Sequence, residues 1–98
     1  MIEVVETEVF QQWMRRLKDA VARTRILARL RRAPMGNFED WKSVGSGVSE
    51  MRIDHGPGYR LYFIRRGDRL IIILAGGTKR TQAADIVRAL EIARELKG

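Results

Sequence analysis

Residues 48–77 of this 98-residue chain read VSEMRIDHGPGYRLYFIRRGDRLIIILAGG. This stretch contains three apolar or alternating runs divided by two glycine-containing turns; the runs are residues 48–54, 59–65 and 70–75, and the turns are residues 55–58 and 66–68. Short runs of this composition between such turns are typical of successive antiparallel strands. The third run is apolar on both faces, which predicts the central strand of a sheet that is covered on both sides. Gly76 and Gly77 are expected to end that strand.

The first part of the chain predicts a strand and a helical hairpin. Residues 2–5 form a short apolar stretch that predicts the strand. Thr7 and Asp19 can each cap a helix. Apolar residues recur at helical spacing after both caps; they are Phe10, Trp13, Met14 and Leu17 in the first helix and Ala22, Ile26, Leu27 and Leu30 in the second. Pro34 and Gly36 are expected to end the second helix.

A last helix is predicted after the strands. Thr81 can cap it, and its core-facing residues would be Ala83, Ile86, Val87 and Leu90. The resulting order is a strand, two helices, an antiparallel meander of three or four strands, and a helix, all within one domain of residues 1–98. This order predicts an α+β fold in which helices pack on an antiparallel sheet.

The composition limits the kind of protein. The chain has no cysteine, which excludes disulfides and thiolate metal sites. Its N-terminus lacks the basic start and apolar core of a signal peptide. Its longest apolar run, residues 70–75, is far shorter than the about 20 residues that span a membrane. We therefore expect a cytoplasmic protein with no metal, no cofactor and no membrane partner.

The charge is strongly basic and unevenly distributed. The net charge is +7, and the basic residues concentrate in residues 15–32 and 59–80. Arginines outnumber lysines by fifteen to four, which favours recognition of phosphate or carboxylate because a guanidinium group can bind two oxygens at once. Two basic blocks favour a polyanion such as nucleic acid, although solvated helix faces would carry the same charge.

Three segments of the chain resemble a known family. Residues 36–53, GNFEDWKSVGSGVSEMRI, resemble the middle of toxins of the RelE/ParE superfamily, most of all the branch of HigB-like and phage-derived addiction module killer proteins. Residues 56–63, GPGYRLYF, resemble that family's glycine-tyrosine-arginine strand. Residues 74–82, LAGGTKRTQ, resemble its approach to the last helix. The resemblance extends over nearly the whole chain and implies a RelE-like fold.

The resemblance implies the toxin of a bacterial type II toxin–antitoxin system. Such a toxin would be neutralised by a cognate antitoxin, expected to be a helix-turn-helix protein. The implied activity is metal-independent cleavage of messenger RNA on the ribosome, which inhibits translation. Relatives on one fold can act differently, and two alternatives stay open: a non-nuclease inhibitor of DNA gyrase, and a nucleic-acid-binding relative without activity.

Six residues are candidate catalytic groups: Arg60, Arg80, Arg52, Tyr62, Lys79 and His55. By the resemblance, Arg60 matches the arginine that nuclease relatives place at the scissile phosphate, and Arg80 matches a functional arginine of ribosome-dependent relatives. A guanidinium group suits this task because its fork matches phosphate oxygens. For Arg60, an ion pair with Glu50 or Asp54 is the structural alternative.

The other four candidates are chosen by position. Arg52 is expected on the same strand face as Glu50, with which it can alternatively form an ion pair. Lys79 lies just before a helix N-terminus, which favours an anion. Tyr62 can stack a base or donate a proton, with half-buried packing as its alternative. Histidine is the side chain that ordinarily changes charge near neutral pH, although a turn residue such as His55 can equally be plain surface.

One position departs from the family's pattern. Nuclease relatives often carry a tyrosine or histidine near the beginning of the last helix, where this chain has Ile86. A side chain that could transfer a proton is therefore missing from its expected place, which keeps both alternatives to the nuclease open.

The arginines of the helical hairpin are predicted to bind RNA; they are Arg15, Arg16, Arg23, Arg25, Arg29, Arg31 and Arg32. Asp19 is the one acidic residue among residues 15–32. Because the two helices lie far in sequence from the strands, we expect these arginines on an outer surface that docks on ribosomal RNA, away from the catalytic strands.

Overall fold

The computed structural model describes residues 2–35 and 41–97. In chain order, the elements of these two ranges are β1 (Glu3–Glu6), α1 (Glu8–Arg16), α2 (Ala20–Arg32), a single 3-10 turn (Ala33–Met35), β2 (Trp41–Gly45), β3 (Val48–Ile53), β4 (Tyr59–Arg66), β5 (Leu70–Thr78) and α3 (Gln82–Lys97). The predicted order of elements and the α+β class are confirmed. Pro34 lies in the 3-10 turn directly after α2, as expected of a residue that ends a helix. Gly36, its predicted companion, lies outside the described residues.

The strands form one five-stranded sheet in the order β1-β5-β4-β3-β2. Strands β2 to β5 make an antiparallel meander, whereas β1 pairs with β5 in parallel. The meander therefore has four strands, the upper number of the prediction. The turn between β2 and β3 has positive φ at Gly45, Ser46 and Gly47, a conformation that explains the two glycines.

The place of β5 in the sheet differs from the prediction. The central strand is β4, and β5 lies between β1 and β4. Residues 71–75 of β5 are buried, as their apolar composition predicted. The prediction of a central position was wrong. Only β1 lies on the outer side of β5, whereas β4 has two strands on each side.

Gly76 and Gly77 do not end β5, which continues to Thr78. Their role is to leave space for side chains that pack on the strand. A Cβ atom on Gly76 would lie 2.5 Å from the Trp13 ring, and a Cβ atom on Gly77 would collide with the Asp85 carboxylate. The glycines therefore let α1 and α3 approach the strand from opposite faces.

Each face of the sheet has its own hydrophobic core, because successive strand residues point to opposite sides. Helices α1 and α2 cover one face, where the core includes Phe10, Ile26, Leu61, Phe63 and Ile73. Helix α3 covers the other face, where the core includes Tyr62, Ile64, Leu74, Ala89 and Ile92. Strand β4 supplies both cores, so its even-numbered residues, and the residues of β3 that oppose them, belong to the α3 face.

The helix caps are largely as predicted. Thr7 Oγ1 accepts a hydrogen bond from the Phe10 backbone N–H at 3.2 Å, and Asp19 Oδ1 accepts one from Ala22 at 3.1 Å. Thr81 precedes α3, but its hydroxyl accepts from the Thr78 backbone N–H at 3.2 Å instead of from a helix N–H. In the described ranges, no helix has the length and apolar character needed to cross a membrane.

Candidate nucleic-acid interface

A cleft of about 640 Å³ opens at the end of the sheet where β3 turns into β4. Its walls come from the beginnings of β2 and β4, the end of β3, the turn of residues 56–58 and Lys79. Among the described residues that line it, the charged side chains are Lys42, Arg52, Arg60 and Lys79 and the one carboxylate of Asp54. Four cations against one anion give this first cleft a positive potential, which favours an anionic ligand.

Arg52 and Arg60 meet in this cleft because they are paired across the β3–β4 ladder. Directly opposed residues point to the same face of a sheet. Arg52 is exposed, whereas Arg60 is only 6% exposed. The structure thus places one predicted site residue at the rim of the cleft and another at its floor.

Arg60 is held in place by polar contacts. Its Nη1 donates a hydrogen bond to the carbonyl oxygen of Gly58 at 2.8 Å, and its Nε lies 3.8 Å from Glu50 Oε1. The second oxygen of Glu50 accepts a hydrogen bond from Gln82 Nε2 at 2.7 Å. The ion pair considered as the structural alternative is therefore present, and the hydrogen bond to Gly58 orients the guanidinium group at the floor of the cleft.

Glu50 and Gln82 support the site; from the sequence, Glu50 is expected only as an ion-pair partner, and Gln82 has no predicted role. Glu50 is 1% exposed, and a carboxylate at this depth needs a charged or hydrogen-bonding partner. Gln82 is the first residue of α3, so its amide connects the helix to the strand carboxylate. The signal was available in the alternation of β3, where Glu50 has the same parity as the buried Val48.

Tyr62 lies beside Glu50 instead of lining the cleft. The two residues oppose each other in the ladder, and the Tyr62 side chain is fully buried. Its burial, together with the Glu50 carboxylate, raises the pKa of the Tyr62 hydroxyl well above its ordinary value. A ring with no exposed surface cannot stack on a base. The prediction of base stacking by Tyr62 is therefore wrong, whereas its proton-donating role stays a prediction. The ring packs more deeply than the half-buried alternative expected.

Lys79 and Arg80 are neighbours in the chain but occupy different environments. A Cβ atom on Gly58 would lie 3.0 Å from Arg60 Nη1 and 3.5 Å from Lys79 Cβ, so the glycine at φ +77° leaves room for both cations. Arg80 is exposed and is not among the described residues that line the first cleft. Its functional role stays a prediction.

His55 points away from the cleft toward the helical hairpin. Its Nε2 lies 3.2 Å from Asp19 Oδ2, at the N-terminus of α2. Its ring stacks on Tyr59, with centroids 6.4 Å apart and planes inclined by 16°. The structure therefore does not bring His55 together with Arg60. It places His55 as a contact between α2 and the turn whose next three residues line the cleft.

The hairpin arginines are not all on the surface. Arg15, Arg16, Arg25, Arg31 and Arg32 are exposed. Arg23 is half-buried, and its Nη2 donates a hydrogen bond to the Leu17 carbonyl oxygen. Arg29 is 3% exposed. The prediction that these arginines all face outward is therefore wrong for Arg29, because it lies on the side of α2 that faces the sheet.

Helix α2 also does not lie away from the strands. A second cleft of about 260 Å³ is lined by Arg25, Arg29 and Arg32 of α2 and by residues 52–54 of the β3 end. The expectation of two separated basic regions was wrong because distance along the chain does not measure distance in the fold.

Ile86 behaves as a core residue. It is half-buried and packs against the hydrophobic core on the α3 face. The place where nuclease relatives were expected to carry a tyrosine or histidine thus contributes packing here.

The arrangement of elements and the basic cleft define a small α+β protein of the RelE-like fold. One match is a chain of the intact Escherichia coli RelBE toxin–antitoxin complex, with a TM-score of 0.66, 12% identity, and coverage of 80% of this chain and 96% of that chain. Another is the conserved hypothetical protein HP0894 of Helicobacter pylori, with a TM-score of 0.58, 18% identity, and coverage of 82% and 97%. These likenesses confirm the predicted fold.

Sequence comparison identifies the family. Residues 12–97 match the family described as Phage derived protein Gp49-like (DUF891), and the chain belongs to it. The phage-derived branch of the predicted resemblance is thereby confirmed. An uncharacterized protein of Haemophilus influenzae is 44% identical over 95 residues, which cover 97% of this chain and 96% of the relative.

Proposed function

We propose that this chain is the toxin of a bacterial toxin–antitoxin pair and that it cuts messenger RNA on the ribosome. The observation that carries the proposal is the first cleft, in which Arg52, Arg60 and Lys79 converge on one space with a positive potential. Membership of a phage-derived family and a fold shared with a chain of a toxin–antitoxin complex support the same interpretation.

The residues of the cleft suit the chemistry of RNA cleavage. Attack of a ribose 2′-hydroxyl on the neighbouring phosphate builds a pentacoordinate phosphorus that carries additional negative charge. The P–O5′ bond then breaks, which leaves a 2′,3′-cyclic phosphate and a 5′-hydroxyl group, while the 2′-hydroxyl gives its proton to water and the leaving oxygen takes one from water. Arg60, oriented by its hydrogen bond to Gly58, would hold two phosphate oxygens with its planar fork. Lys79 and Arg52 would stabilise the charge that develops, and groups positioned in advance are the most effective at this task.

The proposed partners are the ribosome with its messenger RNA, and a cognate antitoxin. An exposed basic cleft attracts an acidic or amphipathic segment as readily as it attracts RNA. A segment of the antitoxin that covers Arg52 and Lys79 would block access to Arg60. We expect the small reading frame beside the gene of this chain to encode the antitoxin. The antitoxin and this chain should co-purify.

A non-nuclease toxin that inhibits DNA gyrase is the second candidate. It is favoured by Ile86, whose packing in the α3-face core leaves no proton-transferring side chain at that position. It makes no use of the paired arginines of the first cleft.

Primer extension on messenger RNA in a translating extract separates the two candidates. The proposal expects discrete cuts that appear with the protein and need ribosomes. Breaks in DNA that depend on gyrase, without cuts in messenger RNA, would support the second candidate. Absence of both effects at concentrations that arrest growth would refute the proposed activity.

The matched variants are Arg52→Ala and Arg94→Ala. Each removes one exposed arginine, but Arg94 lies in the second half of α3 and Arg52 lines the cleft. We expect Arg52→Ala to lower the rate of cutting by about 10²-fold, the usual effect of losing a group that stabilises a transition state. Arg94→Ala should cut at the wild-type rate. Equal rates for both variants would contradict the assignment of the site.

A further inference from the structure

The two clefts of the described residues adjoin each other at the end of β3. Arg52, Ile53 and Asp54 line both of them. The end of β3 is therefore a shared wall, with the floor arginine Arg60 on one side and helix α2 on the other. A ligand that lies against Arg60 on the α3 face and extends past Arg52 would pass around the end of β3 to reach the second cleft beside α2.

The α2 side of the second cleft is strongly basic. Arg25, Arg29 and Arg32 are spaced by four and three residues, which places them on one face of the helix. Arg25 and Arg32 are exposed, whereas Arg29 forms part of the floor at 3% exposure. Together with Arg52 they give this cleft four arginines, against Asp54 as the one carboxylate among its described lining residues.

The arrangement fits a linear polyanion better than a single anion. Arg25 and Arg32 are seven residues apart, about 10 Å along the helix axis. One phosphate group cannot bridge that distance, so Arg25 and Arg32 would contact different phosphates of one strand. Arg25 and Arg32, at the two ends of this row of three arginines, are exposed. A nucleic-acid strand can therefore lie along the row on the protein surface.

We propose that the second cleft is an RNA subsite that continues the first. A single RNA strand passes from Arg60 over Arg52 and along α2, and Arg25 and Arg32 bind the phosphates of nucleotides that flank the one at Arg60. This inference rests on the proposed function, because it takes RNA as the ligand of the first cleft. From the sequence, Arg25 and Arg32 are expected to dock on ribosomal RNA away from the cleft. In this proposal they contact the same RNA strand that lies at Arg60.

The test measures binding of fluorescein-labelled 2′-O-methyl RNA, which lacks the attacking hydroxyl group, by fluorescence anisotropy. Oligonucleotides of about three, six and nine nucleotides are compared over a range of salt concentrations. The variant is Arg25→Gln with Arg32→Gln, and the matched control is Arg88→Gln with Arg94→Gln in α3. Both pairs consist of exposed helix arginines, so the two variants lose the same charge.

We expect the affinity of the wild type to rise with length beyond three nucleotides. The Arg25→Gln and Arg32→Gln variant should lose this gain while binding the shortest RNA as the wild type does. Its log–log salt slope with the longest RNA should fall by about 0.7 for each lost contact, about 1.4 in total. The control should keep both the gain and the slope.

The outcomes separate the inference from the proposed function. Equal length dependence in the variant and its control would overturn the subsite. So would a variant that binds RNA normally but no longer binds the antitoxin, because the second cleft would then hold an acidic peptide. If RNA of every length binds the wild type and Arg52→Ala equally, the proposed function itself fails.

Discussion

Arg52 and Arg60 are directly opposed in the β3–β4 ladder, so two guanidinium groups face the same cleft. Like charges in opposed positions destabilise a sheet. Glu50 relieves this repulsion for Arg60 through the contact of 3.8 Å, whereas Arg52 stays exposed at the rim. The pair therefore costs stability in the free protein and becomes favourable when an anion lies between the two groups.

The first prediction concerns Arg52. Replacing it with glutamine should raise the free energy of unfolding by about 0.2–1 kcal/mol, because the repulsion across the ladder is removed. The same change should weaken RNA binding, because the anion loses a partner. Urea unfolding and anisotropy measure the two effects on one protein. Arg94→Gln, at an exposed cation outside the cleft, is the control for stability; a loss of stability in Arg52→Gln would contradict the argument.

The second prediction concerns the buried pair of Arg60 and Glu50. Arg60→Ala should lower the free energy of unfolding by about 3–5 kcal/mol, because a buried carboxylate loses its charged partner. Loss of activity in that variant alone would therefore say little about chemistry. Adding Glu50→Gln should recover part of the stability, since a neutral amide can keep the contact with Gln82.

Arg60→Lys completes this test. It keeps a positive charge near Glu50 but loses the planar fork that matches two phosphate oxygens. We expect a folded protein with cleavage reduced by about 10²-fold or more. A lysine variant that cuts at the wild-type rate would show that Arg60 supplies charge alone.

The sequence predicted local structure well because local patterns determine it. Thr7 and Asp19 act as caps where their side chains were expected to do so. The parallel pairing of β1 with β5 has no local signal, because its partners lie more than sixty residues apart. The central place of β4 follows from that pairing and from β2, so it could not be read from the apolar run of β5.

The site was predicted in part for a similar reason. Arg52, Arg60 and Lys79 line one cleft. Their motif positions were enough to select them from the sequence. The burial of Tyr62 depends on which face α3 covers, and that choice is made by tertiary packing. His55 turns toward Asp19, a residue 36 positions earlier, and no periodic pattern in the sequence connects them.

The third prediction concerns the alkaline limit of stability. Burial raises the pKa of both tyrosines of the chain, and the Glu50 carboxylate adds to the effect at Tyr62. A group with a raised folded-state pKa stabilises the fold below its ordinary value, about 10 for tyrosine, and this contribution is lost as the pH rises toward the folded value. Phenolate absorbance should therefore appear together with unfolding. Tyr62→Phe should move the alkaline unfolding midpoint upward; phenolate formation at pH about 10 in folded protein would contradict this.

The fourth prediction concerns the contact of Gly76 with Trp13. Gly76→Ala places a methyl group against the indole ring, at 2.5 Å before any relaxation. Overpacking of this kind should cost about 1–3 kcal/mol. Trp13→Phe shortens the ring, so the double variant should lose less than the sum of the single losses, with a coupling of about 0.5–3 kcal/mol. If the losses in the free energy of unfolding are additive, the added methyl group does not press on the indole ring. The sheet would then have shifted away from Trp13.

The last prediction concerns the contact between Asp19 and His55. The backbone N–H of Ala22 is the main group that lowers the pKa of the Asp19 carboxyl, and His55 adds to the effect while burial opposes it. A lowered folded-state pKa means that the charge stabilises the fold above the ordinary value of about 3.9, and that this contribution is lost as the pH falls through the folded value.

Asp19→Asn is a suitable variant because asparagine also caps helices. It should be less stable than the wild type at pH about 6, and the difference should shrink as the pH falls below the ordinary pKa of the carboxyl. His55→Gln is the companion variant, since it removes the ring but leaves the cap. If Asp19→Asn unfolds at the same urea concentration as the wild type at every pH, the charge of Asp19 adds nothing to its role as a helix cap. The contact with His55 then does not hold the cleft-lining turn against α2.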